Sequence, residues 1–155
     1  MNINHPTIEE AIALAALKHK GQKDKNGEVY IFHPISVMRR LETEEERIVG
    51  ILHDVMEDCG VNRKELIDLG YSEDIVTAIE FLSKLPEEED DYSAFIERIR
   101  KGPVLAIKGK LADLADNTDP ARRTVGNEKT RKRQEKYRLA IGILTAELQN
   151  RSQVA

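Results

Sequence analysis

The stretch Ile48-Val49-Gly50-Ile51-Leu52-His53-Asp54-Val55-Met56-Glu57-Asp58 runs from an apolar segment directly into a histidine and three carboxylates. Thr43 and Glu46 ahead of it have the spacing of a capping box, so a helix is predicted to start there and to stop at Gly60. The apolar residues pull the polar cluster toward the interior, where unpaired charge is costly and a bound cation would compensate it. On one continuous helix, positions four apart share a face. His53 is therefore expected over Glu57 and Asp54 over Asp58, with one pair holding a metal and the other facing substrate or water.

Helical signals continue on both sides. Thr7-x-x-Glu10 caps a first helix reaching about Lys18, with Ile8, Ala11, Ile12, Ala15 and Ala16 at helical spacing. Gly21 to Gly27 has the composition of a polar loop, and Tyr30-Ile31-Phe32 returns the chain to the core. Pro34 suits a first helical turn and places His33 at the N-cap of a helix through Leu41. Asn62-x-x-Glu65 and Ser72 open two further helices, the first ended by Gly70. Pro86 to Asp91 is expected to be a solvated acidic loop, followed by a helix from Tyr92 to near Gly102. Pro103 starts another that Asp119-Pro120 interrupts, and a last helix spans about Glu128 to Asn150. No segment alternates convincingly as a strand would, so the fold class is all-α.

At 155 residues the chain fits one compact domain, residues 1–155, large enough to bury a core without disulfides. Aromatic residues make up only 5 %, which leaves aliphatic packing to hold the helices together. A formal charge of −4 argues against a general nucleic-acid binder. No apolar run approaches the roughly 20 residues of a membrane span, and the N-terminus lacks a signal-peptide pattern. The lone Cys59 can form neither an internal disulfide nor a thiolate metal site. A soluble cytoplasmic protein is expected, with no nucleic-acid or membrane partner and with oligomeric state, a homo-oligomer included, left open.

Two more residues are candidates to complete a metal site with His53 and Asp54: His33 beside Pro34, and Asp113 inside the otherwise apolar Leu111-Ala112-Asp113-Leu114-Ala115. Two imidazoles and two carboxylates neutralise a divalent cation. Nitrogen and oxygen ligands without thiolate suit manganese or iron, with zinc less natural if six ligands are needed. Manganese is the expected ion.

Four ordered blocks carry a family resemblance: Ala16-x-x-His19-x-Gly21-Gln22, Tyr30-Ile31-x-His33-Pro34, Leu52-His53-Asp54-x-x-Glu57-Asp58 and Lys110-Leu111-Ala112-Asp113-x-x-x-Asn117. Together they resemble the HD-domain hydrolases of the RelA/SpoT type, most closely the stand-alone small alarmone hydrolases, over nearly the whole chain. The resemblance implies a compact helical HD fold and manganese-dependent removal of the 3′-pyrophosphate from guanosine tetra- or pentaphosphate, a small-molecule nucleotide. It implies that His33, His53, Asp54 and Asp113 are metal ligands and that Glu57 and Asp58 orient and deprotonate the attacking water. It further implies that Asn117 contacts the nucleotide sugar or its phosphate. Lys23 and Lys25 in the polar loop, and Arg133 with Tyr137 sharing a face of the last helix, are the remaining candidate substrate contacts.

The chain departs from the family pattern at several positions. Asp24 stands where an arginine commonly packs on guanine, and a carboxylate there is expected to repel phosphate. Val29 replaces a frequent proline, Cys59 a frequent threonine, and Asp116 a histidine or aromatic residue. Asp24 and Asp116 motivate an alternative, a metal-dependent phosphohydrolase acting on another nucleotide or phosphate ester. A regulatory nucleotide-binding module derived from a hydrolase is a third reading, against which the intact Glu57-Asp58 pair counts. Read structurally, His19 packs at the end of the first helix, Cys59 is inert, and the cations from Lys129 to Arg138 are a solvated helix face.

Overall fold

The computed structural model describes residues 4–122 and 126–154. Its helices are α1 (Ile8–Lys18), α2 (Phe32–Arg39), α3 (Glu44–Leu52), α4 (Val55–Cys59), α5 (Arg63–Asp68), α6 (Glu73–Phe81), α7 (Tyr92–Arg100), α8 (Val104–Asn117) and α9 (Glu128–Val154). The only β pairing among the described residues is an isolated antiparallel bridge between Lys23 and Val29, which closes the polar loop. The expected all-α class is what forms. No helix among the described residues is long and apolar enough to cross a membrane.

Helix α3 lies at the centre because its C-terminal half is apolar all round. Ile48, Val49, Gly50, Ile51 and Leu52 are consecutive and all buried, which only a helix covered on every side can satisfy. It is surrounded by α1, α2, α6 and α8. Gly50 lets α2 approach closely: a Cβ there would fall 2.7 Å from Leu41 Cδ1 and 3.1 Å from the Met38 backbone Cα. Helix α8 lies on another side of α3, and α9 packs along α7 and α8, contributing Ala140 and Leu144 to the core.

Both predicted capping boxes form, at Thr7–Glu10 and Thr43–Glu46, and Asn62 and Ser72 cap α5 and α6. Four local expectations are corrected. The helix from Thr43 does not run to Asp58: it ends at Leu52, turns at His53 and Asp54, and resumes as α4. The His53 ring Nδ1 lies 2.7 Å from the Gly50 carbonyl, the acceptor through which the helical ladder would continue to Asp54. Asp54 takes φ −104° and ψ 0°. His53 and Glu57 thus do not stack on one helix as predicted, nor do Asp54 and Asp58.

His33 is not an N-cap. Backbone bonds from Phe32 to Val29 and from His33 to Tyr30 start the turn earlier, so α2 begins at Phe32 and Pro34 sits within its first turn, where a missing N–H costs nothing. The Pro86–Asp91 segment is not merely a solvated loop. It forms a short 3₁₀ turn in which Glu88 is buried and accepts two hydrogen bonds from the Arg98 guanidinium. The last helix runs past Asn150 to Val154.

Candidate active site

Three elements bring together side chains that could hold a metal ion. His33 comes from the first turn of α2, His53 from the break between α3 and α4, and Asp113 from the middle of α8. All three are buried, and one ligand atom of each lies within 4.8 Å of the others. His33 Nε2 is 2.9 Å and His53 Nε2 3.4 Å from Asp113 Oδ1. Asp54 adjoins this group, with Oδ2 3.0 Å from His53 Nε2, and accepts a hydrogen bond from the Tyr30 hydroxyl.

The outer ring nitrogens are anchored so that both Nε2 atoms face inward. His53 Nδ1 donates to the Gly50 carbonyl at 2.7 Å, and His33 Nδ1 donates to Asp116 Oδ2 at 2.7 Å. A histidine that ligates a metal characteristically donates its other N–H in this way. Among the described residues, buried His53 Nε2 makes no well-aligned hydrogen bond, although it faces the Asp54 and Asp113 carboxylates at 3.0 and 3.4 Å. Burial by itself would lower the His53 pKa, but the Asp54 and Asp113 carboxylates outweigh it and raise the value well above the ordinary imidazole range. His33 is raised by Asp113 and Asp116 against the same opposing burial. Asp54, which burial would raise, is held down at about 2, chiefly by His53. Such a centre is satisfied either by protons on the imidazoles or by a cation in their place, so the residues fit a divalent metal.

Asp113 is held by more than the histidines. Lys110 Nζ lies 2.8 Å from its Oδ2, and Asn117 Nδ2 donates to its Oδ1 at 3.0 Å. Burial would lower the Lys110 pKa, but Asp113 holds it above the usual lysine range.

Glu57 and Asp58 lie on α4 and are more open to solvent than His33, His53 and Asp113. Burial raises both of their pKa values, and the Asp54 charge adds to the rise. Each has one oxygen tied: Glu57 Oε2 accepts the Lys84 backbone N–H at 3.3 Å, and Asp58 Oδ2 accepts Gln22 Nε2 at 3.2 Å. Gln22 is itself fixed by His19 Nδ1, 2.8 Å from its Oε1. His19 therefore packs at the end of α1 as expected and also supports Asp58 through Gln22.

Every expected substrate residue borders one cleft of about 270 Å³: Lys23, Lys25, Asn117, Arg133 and Tyr137. The Lys25 pKa is lowered by burial and then by the nearby charges of Arg133, Lys129 and Lys136, a crowding of cations that an anionic ligand would relieve. Part of the basic stretch on α9 thus turns toward the cleft instead of forming only a solvated face. Lys136 Nζ sits 4.4 Å from the centre of the Tyr92 ring.

Several residues had no assigned role in the sequence reading. Tyr30, Gln22 and Lys110 belong to the quoted blocks, yet their hydrogen bonds become visible only in three dimensions. Asp116, which departs from the family pattern, is buried and orients His33, with Ser36 Oγ donating to it at 2.6 Å. The spacing of Asp113, Asp116 and Asn117 on one helix carried a signal for this, since positions three and four apart share a face.

Fold and site together define a helical domain that gathers two histidines and an aspartate into a buried centre able to hold a divalent cation, the arrangement of the HD class. No protein-family model matches the chain. Guanosine-3′,5′-bis(diphosphate) 3′-pyrophosphohydrolase of Vibrio cholerae is 34 % identical over 137 residues, covering 80 % of this chain and 19 % of that protein. The bifunctional (p)ppGpp synthase/hydrolase SpoT of Escherichia coli is 30 % identical over 145 residues, covering 88 % of this chain and 20 % of SpoT. A solved structure described as a metazoan ortholog of SpoT that hydrolyzes ppGpp superposes with a TM-score of 0.73 at 23 % identity, covering 94 % of this chain and 88 % of that one. That likeness establishes the fold. The chain belongs to the RelA/SpoT type of HD-domain proteins, and it spans about a fifth of the length of these curated relatives.

Proposed function

We propose that this protein hydrolyses the 3′-pyrophosphate of guanosine tetra- or pentaphosphate in the cytoplasm, releasing pyrophosphate and leaving GDP or GTP. The observation that carries this reading is the juxtaposition of the buried His33–His53–Asp113 group with a raised-pKa carboxylate pair and a cationic cleft. Relatives named for this activity support it.

His33, His53 and Asp113, with Asp54 beside them, would hold the metal. Nitrogen and oxygen donors without thiolate suit manganese. When bound, a divalent cation at this centre polarises a phosphoryl oxygen and lowers the pKa of water. Glu57 takes the proton of the attacking water through its untied oxygen, and its raised pKa brings it closer to the operating pH than an ordinary glutamate. Asp58, positioned by Gln22, orients that water. The water oxygen bonds to the phosphorus attached to the 3′ oxygen, the bond between that phosphorus and the 3′ oxygen breaks, and the 3′ oxygen is protonated. Lys23, Lys25 and Arg133 bind the phosphates, while Asn117 links the cleft to Asp113.

The test is chromatography of ppGpp incubated with manganese-loaded protein. GDP and pyrophosphate are expected in equal amounts, and no turnover would overturn the reading. The alternative, another nucleotide or phosphate ester, rests on Asp24 lining the cleft. A nucleotide panel turned over more efficiently than ppGpp would favour it.

A further inference from the structure

Asp24 occupies the cleft wall, where a free carboxylate would repel a nucleotide phosphate, yet its charge is already committed. Oδ1 accepts the backbone N–H groups of Asn26 at 2.8 Å and Glu28 at 3.0 Å, folding the polar loop on itself. Oδ2 lies 3.5 Å from Arg122 Nη1. Arg122 belongs to the turn after α8, where the backbone of Arg122 bonds that of Asp119 and the Asp119 side chain caps the Ala121 N–H. Asn26 Nδ2 donates to the Arg122 carbonyl at 3.0 Å, which ties this turn to the polar loop.

The Arg122 guanidinium is held by two carboxylates, Asp24 and Asp116, at the wall of the cleft that the cations line. Its Nε lies 3.4 Å from both Asp116 Oδ2 and Asn117 Oδ1. Among the described residues Nη2 has no partner. The side chain is 23 % exposed and lines the same cleft as Lys23, Lys25 and Arg133. A planar guanidinium held at Nε and Nη1 keeps its Nη2 N–H donors for a second anion, in a fixed plane that a lysine ammonium lacks.

We infer that Arg122 is a phosphate-binding residue of the nucleotide cleft and that Asp24 is its positioning residue, aiming the guanidinium through an ion pair and through the loop it folds. Asp24 thereby becomes a support for phosphate binding. The inference rests on the proposed nucleotide site, though it stands for any nucleoside phosphate and does not require the 3′-pyrophosphatase reaction.

The experiment compares manganese-loaded wild type with Arg122→Ala, Arg122→Lys, Asp24→Asn and the Arg122→Ala/Asp24→Asn double variant. Each is titrated with GDP, ppGpp and guanosine, with ppGpp turnover followed in parallel. Arg122→Ala is expected to weaken GDP and ppGpp by about tenfold or more, the weight of one charge-assisted hydrogen bond. Guanosine, which has no phosphate, should lose little, and that difference separates lost contact from collapse of the cleft. Arg122→Lys retains the charge without the fork and should bind GDP several-fold more weakly than wild type. Asp24→Asn should also weaken GDP, with little further loss in the double variant. Unchanged GDP binding in Arg122→Ala and Arg122→Lys, equal losses for guanosine and GDP, or additive losses in the double variant would overturn the inference. Wild type that binds GDP without turning over ppGpp would overturn the proposed reaction and leave Arg122 assigned. Wild type that binds none of these ligands would overturn both.

Discussion

Asp116 Oδ2 accepts a hydrogen bond from His33 Nδ1 at 2.7 Å, holding Nε2 of that imidazole toward Asp113. The pair joins the first turn of α2 to α8 and fixes both the tautomer and the rotation of a metal-facing ring. Replacing Asp116 with alanine is expected to lower metal affinity by about 10–100-fold while His33 itself remains. Metal titration followed by equilibrium dialysis reads this directly, and wild-type affinity in Asp116→Ala would deny the aspartate that role.

Glu57→Gln is expected to retain the metal and lose about 10²–10⁴-fold in kcat, because glutamine has the shape but cannot accept the proton. The acid limb of the wild-type kcat/KM profile should lie above the usual glutamate range, since burial and the Asp54 charge raise the Glu57 pKa. Activity therefore falls as pH drops through that raised value. Metal analysis alongside turnover separates lost chemistry from a lost cation.

Metal binding should release protons. His33 and His53 both have raised pKa values in the metal-free protein, yet ligate only as neutral imidazoles. Affinity should therefore climb as pH rises toward those values and level off above them. Stability of the metal-free form follows the opposite course. A raised folded-state pKa gives stabilisation that is complete below the unfolded value of about 6.5 and is lost as pH rises through the folded one. Calorimetric titration in buffers of different ionisation enthalpy counts the released protons, and a pH-independent affinity would contradict the assignment.

Gly50→Ala pits two effects against each other. Alanine favours a helix by about 1 kcal/mol over glycine. The added methyl, however, meets Leu41 Cδ1 at 2.7 Å and the Met38 backbone at 3.1 Å, and overpacking of this kind costs about 1–3 kcal/mol. Backbone yields less readily than a side-chain tip, so net destabilisation is expected, with a Tm lower by a few degrees. Because His53 Nδ1 donates to the Gly50 carbonyl, metal affinity should fall with it. An unchanged or higher Tm in thermal denaturation would show that α2 can move aside.

Much of this molecule was legible because helices write their chemistry locally. Thr7, Thr43, Asn62 and Ser72 announce helix starts through side-chain bonds three residues away, and all four form. The break at His53 was not legible, because it depends on an imidazole bonding the Gly50 carbonyl instead of pointing to solvent. The Glu88–Arg98 pair was missed for a related reason: a run of acidic residues looks solvated until a cation from the next helix folds over one of them.

By itself, the sequence determined an all-helical chain and the residue types of a nitrogen- and oxygen-ligated centre, because helical periodicity and capping act over three or four residues. Only the tertiary structure decided how those residues meet. His33 and Asp113 are 80 positions apart, and Asn26 and Arg122 are 96 apart, so no local pattern encodes their contacts. Packing of α2 and α8 around the buried C-terminal half of α3 sets them, through apolar burial that favours close approach without dictating which polar atoms face one another. The same packing gives Asp24 its partner in Arg122, turning a carboxylate that looked repulsive to phosphate into one whose charge is already answered.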